Sequence, residues 1–245
     1  MDVIVIGATR GSGLAITREL VAAGHRVTAF GRTASTAFAA PVAGPGAGPG
    51  AGPGAGPGAG PGSVRPVDGD ALDPEAVAKA VAGQDAVVVA LGISDNPLAV
   101  QWLRRSSTAP DVRSRGTRNV VDAMRETGVR RLVVQSTYGL GDSWAHLDLT
   151  WKLVFRFVIG RQFTDSGRQE DVVRASGLDW TLVRPVSLTD APDDAADGAD
   201  TEAPAHVTTD DTRRGLKVSR AQLARVHAAA LADPAAVGAT LSVSA

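Results

Sequence analysis

The chain has 245 residues, with 28 Gly, 14 Pro, no Cys and a formal net charge of −1. Without cysteine there are no disulfides, no thiolate catalysis and no Cys-ligated zinc. The near-neutral charge offers no general attraction to nucleic acid or to an anionic membrane. No apolar run approaches the roughly 20 residues that span a bilayer, and Met1 leads directly into a strand-like run rather than a signal peptide. The expectation is a soluble, cytoplasmic protein of one domain, residues 1–245, with its oligomeric state left open.

In chain order, Asp2-Val-Ile-Val-Ile6 is a short β-branched run and reads as a buried strand. Residues 11–23 have helical spacing, with Leu14, Leu20 and Val21 on one side, and 26–30 is a second strand. Strand, helix and strand within about 30 residues make a βαβ unit with parallel strands. Residues 44–62 then repeat Ala-Gly-Pro-Gly and hold 10 Gly and 5 Pro. Glycine falls there at every second position, not every third, which excludes collagen. Such a run builds no core and is expected to be a flexible insert. Lengthening a loop from about 5 to about 19 residues costs only about 1 kcal/mol of closure entropy, so the fold tolerates it.

Beyond the insert the alternation resumes. Residues 63–67 read as a weak strand, and Asp73-Pro74-Glu75 opens a helix with Asp as N-cap and Pro at its first position. Strands are expected at 86–91, 132–135, 180–183 and 240–243, and helices at 116–127, 151–159, 167–175 and 220–232. Residues 190–211 are acidic and poor in large apolar side chains, which predicts a mobile loop. The fold class is α/β, a doubly wound parallel sheet of Rossmann type.

Gly7-Ala-Thr-Arg-Gly-Ser-Gly13 sits between the first strand and the first helix, the context in which a glycine motif signals dinucleotide binding. Gly7 permits the tight turn. Gly11 and Gly13 are expected to let the backbone approach a pyrophosphate, with Thr9, Ser12 and Leu14 at the helix start beside it. The second strand ends Phe30-Gly31-Arg32-Thr33, with no acid to hold a ribose 2′-hydroxyl. Arg32, with Arg10 from the glycine loop, suits a 2′-phosphate instead, so the expected cofactor is NADP(H). The alternative for Arg32 is an ordinary solvated arginine.

With those residues in view, the sequence resembles the atypical short-chain dehydrogenase/reductase superfamily, including flavin/biliverdin-IXβ reductase-like and NmrA-like proteins. The matching segments are the glycine loop, Gly69-Asp70, residues 81–92, residues 116–124, Ser136-Thr137, residues 175–185 and Val218-Ser-Arg220. The resemblance implies that Asp70 and Ala71 meet the adenine, and that Leu91, Gly92 and Ile93 lie along the middle of the cofactor. It further implies Ser136 and Thr137 near the nicotinamide, with Pro185 and Val186 over its ring.

Many members of that superfamily use a Tyr followed four residues later by Lys. Here the one tyrosine is Tyr138, and position 142 is Asp. Atypical members often carry a Lys twelve residues before the Leu of their Ser-Gly-Leu signature; counted from Leu178, that position is Ser166. Hydride transfer to a flavin or a related conjugated acceptor does not need that device, because a solvent proton completes it. Ser136 and Tyr138 are the candidate catalytic residues, with cofactor holding and wall packing as their respective alternatives. Arg113 is expected to reach the cofactor's phosphates, and Trp144 and Trp151 either form an apolar lid or pack in the core. The arginines between 102 and 131 read as a solvated face, and the four scattered histidines form no metal site.

The leading expectation is therefore an NADPH-dependent oxidoreductase acting on a small molecule, flavin-like or otherwise conjugated. A non-catalytic NADP(H)-binding redox sensor of NmrA-like type is the alternative, strengthened by the missing Tyr/Lys pair. An isomerase or epimerase would need the absent proton-transfer groups.

Overall fold

The computed structural model describes residues 1–39, 62–92, 109–140, 160–190 and 203–245. Their elements run β1 (Asp2–Ile6), α1 (Gly11–Ala22), β2 (Arg26–Gly31), α2 (Ala34–Ala37), β3 (Ser63–Asp68), α3 (Pro74–Val81) and β4 (Ala86–Val89). They continue with α4 (Val112–Thr127), β5 (Arg131–Gln135), α5 (Gly160–Arg174), β6 (Asp179–Pro185), β7 (Ser187–Thr189), β8 (His206–Thr208), β9 (Lys217–Ser219), α6 (Arg220–Ala232) and β10 (Ala239–Ser244). One eight-stranded sheet has the order β3-β2-β1-β4-β5-β6-β10-β8. All its neighbours are parallel except β8, which runs antiparallel to β10 at the edge.

The continuous apolar runs of β1 and β4 follow from this arrangement, because a parallel sheet is covered on both faces. Val3 and Val5 point to one side, where they pack with Ile16 and Leu20 of α1 and Leu223 of α6. Ile4 and Ile6 point to the other, joining Val77 of α3, Val120 and Met124 of α4 and Val173 of α5. The period of two along each strand thus sorts one run of sequence into two separate cores. Helix starts obey local chemistry. Asp73 accepts hydrogen bonds from the backbone N–H of Glu75 and Ala76 ahead of Pro74, and Ser219 and Gln222 form a reciprocal capping box at α6.

The doubly wound α/β expectation holds, with corrections: α2 was not expected, and the helix expected at 116–127 begins at Val112. The helix expected at 167–175 begins at Gly160. Residues 190–211 are not loop throughout: β8 lies among them, and Asp211 is buried at 7% exposure. Strands β7, β8 and β9 were not expected, since three residues carry no readable periodicity; among the described residues β7 and β9 form a separate two-stranded parallel sheet. The insert at 44–61, the helix at 151–159, Ile93, Trp144, Trp151 and residues 191–202 lie outside the described residues.

His227 offers a probe of the α1–α6 layer. It is fully buried, Nδ1 pairs with the Leu223 carbonyl at 2.9 Å, and Nε2 has no partner among the described residues. Burial pushes its pKa down to about 4 from an ordinary 6.5. The unfolded chain therefore binds the proton first, so this contribution is complete above 6.5 and is lost as pH falls toward 4. Urea unfolding should show a loss of about 2 kcal/mol from this group between neutral pH and about pH 5. His227→Leu should flatten the profile over that range.

Candidate functional site

The chain winds outward from β1 through β2 to β3 and returns to the other side of β1 as β4. At that reversal the loops beyond the strand ends part, and open α/β sheets bind ligands there. A cavity of about 830 Å³ occupies the place. Gly7, Thr9, Arg10, Gly11 and Ser12 border it from the glycine turn, and Gly31, Arg32 and Thr33 from the end of β2.

The three motif glycines have different causes. Gly7 has φ +90°, and a Cβ there would lie 2.7 Å from the Ala90 carbonyl oxygen beyond β4. Gly13 does not border the cavity: its Cβ would lie 2.0 Å from the Gly7 carbonyl oxygen. Its small size serves the packing of α1 on the turn, not the approach of a ligand. Gly11, at φ +53°, borders the cavity together with Gly7. Leu14 packs behind the turn against the apolar core. The N-cap residue of α1, Arg10, makes no side-chain cap among the described residues, and the first turn contains no acid. A helix end left in that state suits a phosphate.

The far wall is built from the ends of β3 and β4. Asp70 accepts the N–H of Leu72 at 2.9 Å, and Ala71 is held by Asn119, whose side-chain amide donates to the Ala71 carbonyl at 2.9 Å. Leu91 and Ala71 close over Gly116, where a Cβ would lie 2.7 Å from Leu91 Cδ1. Gly92 completes this side. Asp68, at the end of β3, accepts both the N–H and the hydroxyl of Ser35, and these bonds hold its carboxyl below the usual range.

At the end of β5 the geometry is decided by a buried ion network. Ser136 borders the cavity, and its Oγ donates to Glu170 Oε1 at 2.7 Å. Glu170 also accepts Arg184 Nε at 2.9 Å, Arg184 Nη2 at 2.7 Å and Arg174 Nη1 at 2.8 Å. Arg184 turns its remaining face to Asp211, at 3.3 Å, and Asp211 accepts the hydroxyl of Ser242. Burial alone would raise the Glu170 carboxyl. The hydrogen bonds from Arg184 and Ser136 and the charges of Arg184 and Arg174 outweigh it and hold the group below its ordinary value. The carboxylate therefore stays ionised, accepts the hydrogen bond of the Ser136 hydroxyl, and leaves Ser136 Oγ to act as an acceptor toward the cavity.

Tyr138 is not on the cavity. It is buried, its hydroxyl donates to the Asp211 carbonyl at 2.7 Å, and Arg213 lies 5.8 Å from its ring centroid. Burial pushes its phenol up. Thr137, Pro185 and Val186 also fail to border the cavity among the described residues; Pro185 receives the Tyr138 N–H, and Val186 donates its own to Val243. Arg113 does border it, and its guanidinium donates to Ser166 while Asp165 accepts its backbone N–H at 3.0 Å. The arginines that follow are only partly a solvated face: Arg125 and Arg131 hold backbone carbonyls of neighbouring elements.

Sequence reading missed Glu170, Arg184 and Asp211. The available signal was an arginine inside the buried strand Leu182-Val183-Arg184-Pro185, since a buried guanidinium demands a partner. Arg220 was missed as a cavity residue. Among the described residues no three His, Asp or Glu are grouped as metal ligands, and no helix is long and apolar enough to cross a membrane.

A family model described as NAD(P)H-binding matches residues 57–234, most of the chain. The chain belongs to the NAD(P)H-binding family. The match begins beyond the glycine turn, which the structure nevertheless sets on the cavity of the same domain. Solved structures share the Rossmann fold over nearly the whole length. Anaerobillin reductase ChuY from Escherichia coli is 21% identical, covers 99% of this chain and 96% of its own, and has a TM-score of 0.69. A short-chain dehydrogenase/reductase from Veillonella parvula in complex with NADP is 17% identical over 100% of this chain and 94% of that one, also at 0.69. The oxidoreductase ylbE from Lactococcus lactis is 16% identical over 100% and 90%, at 0.70.

Arg184 is only 2% exposed, so removing its principal anion leaves a buried charge. Glu170→Ala is expected to lower unfolding free energy by about 3 kcal/mol or more in urea titrations near neutral pH. Because the folded pKa of Glu170 is depressed, its contribution is full above about 4.5 and fades as pH falls below it. The gap between wild type and variant should therefore narrow in acid.

Proposed function

We propose that the chain is an NADPH-dependent oxidoreductase that delivers hydride to a small conjugated acceptor, flavin-like in its electronics. The observation that carries this reading is the cavity at the sheet's reversal, cationic at one end and acceptor-lined at the other. Arg32 and Arg10 suit a 2′-phosphate, and the acid that would favour a ribose hydroxyl is absent from the end of β2. Gly11, Ser12 and the uncapped start of α1 would hold the pyrophosphate. Asp70 and Ala71 would take the adenine, and Leu91 and Gly92 the middle of the dinucleotide.

A reduced nicotinamide bound there supplies a hydride. Ser136, with its proton held by Glu170, would accept a hydrogen bond from an amide N–H and so orient the ring it belongs to. Tyr138 lies away from the cavity, and neither candidate hydroxyl has a proton to give. A carbonyl substrate would require such a proton; a conjugated acceptor takes it from water. The NADP complex of the Veillonella parvula reductase and the activity named for ChuY support the same reading.

The committed Ser136 proton also favours a second reading, a non-catalytic NADP(H) sensor. The two separate when purified protein, NADPH and a panel of flavins and quinones are mixed and the absorbance of reduced nicotinamide is followed. Turnover with at least one acceptor is expected; tight NADP⁺ binding without any turnover would favour the sensor. Arg32→Ala should weaken NADPH binding about tenfold or more and leave NADH binding nearly unchanged. Equal losses for the two would remove the 2′-phosphate assignment.

A further inference from the structure

One cation on the cavity wall has no part in that reading. Arg220 opens α6 directly after its cap, Ser219. Strand β9 runs parallel to β7 with Thr189 beside Ser219, so the residues that follow them, Asp190 and Arg220, emerge side by side. Arg220 Nη1 forms an ion pair with Asp190 Oδ1. The partners are unequal: the Asp190 side chain is 83% exposed and that of Arg220 only 26%. On its other side Arg220 faces the glycine turn. Its Nε would lie 3.5 Å from a Cβ placed on Gly11 and makes no hydrogen bond among the described residues, and Arg220 borders the same cavity as Gly11 and Ser12.

We propose that Arg220 is a ligand for the phosphates of the dinucleotide, masked in the free protein by Asp190, and that phosphate displaces Asp190 on binding. The proposal rests on the dinucleotide reading above and adds to it a specific residue and a specific competitor. A phosphate offers several acceptor oxygens to a planar guanidinium and holds it more strongly than one exposed carboxylate does. Releasing Asp190 costs little, because its carboxylate returns to water and an exposed pair is worth little to begin with. Gly11 keeps the path between Arg220 and the cavity clear, since any side chain there would press toward the guanidinium. The exchange moves one ion pair and breaks no covalent bond. Asp190 thereby sets the affinity of a site it does not line.

The test is calorimetric titration of the full chain with NADP⁺ at low salt, with a thermal melt recorded for each variant. Asp190→Asn should bind about three- to fivefold tighter than wild type, and the gain should shrink in high salt. Arg220→Gln should bind about tenfold more weakly, and the double variant should match Arg220→Gln, because Asp190 acts only through Arg220. Where Arg220→Gln lowers the melting temperature, the exposed Asp190→Asn variant decides alone. An Asp190→Asn protein that binds NADP⁺ no tighter than wild type overturns the proposal. A wild-type protein that binds neither NADP⁺ nor NAD⁺ overturns the dinucleotide reading as well, and the two failures are told apart by the wild-type titration.

Discussion

Arg184 places a guanidinium at the carboxyl end of β6, where water is excluded on every side. A charge in that position is tolerable only when anions and hydrogen bonds replace its hydration shell. Glu170 supplies two oxygens from α5, and Asp211 supplies a carboxylate from the chain returning after β8. The other groups of this region are arranged around those two anions. Ser136 and Arg174 bind the Glu170 carboxylate and Ser242 that of Asp211, while the Tyr138 hydroxyl donates to the Asp211 backbone carbonyl. One buried charge therefore ties α5, the ends of β5 and β6, and the β8–β10 edge into a single polar unit.

The same unit determines the chemistry offered to the cavity. An ionised Glu170 turns Ser136 into an acceptor, and the Asp211 carbonyl draws Tyr138 into the core. Residues whose types suggest proton donation are thereby assigned to holding and packing. At the other end of the cavity the arrangement rests on backbone and arginine: the open start of α1, Gly11, Arg10, Arg32 and Arg220. Binding capacity and hydrogen-bond polarity are thus built from separate parts of the sheet's edge, some joined only through the strands between them.

The elements that were readable along the chain are those whose cause is local. The apolar runs of β1 and β4, the Asp73-Pro74 helix start and the Gly7 turn each follow from a few consecutive residues. Most of the cavity's glycine-turn and β2 residues were visible for the same reason, since a strand–turn–helix unit places its own loop. Gly13 belongs to the motif but packs on the carbonyl of Gly7 six residues earlier and does not border the cavity. Composition reads the end of the acidic stretch as loop because it reports solvation. Asp211 is buried by partners on β6 and β10, which composition does not contain.

Taken alone, the sequence determined the doubly wound α/β class and the dinucleotide turn, because strand periodicity, helix caps and glycine turns act over short spans of chain. Tertiary structure decided the protonation and direction of the groups that matter to chemistry. Ser136 and Glu170 are 34 residues apart, and Tyr138 and Asp211 are 73 apart. Whether a hydroxyl gives or takes a hydrogen bond depends on which partner the fold carries to it.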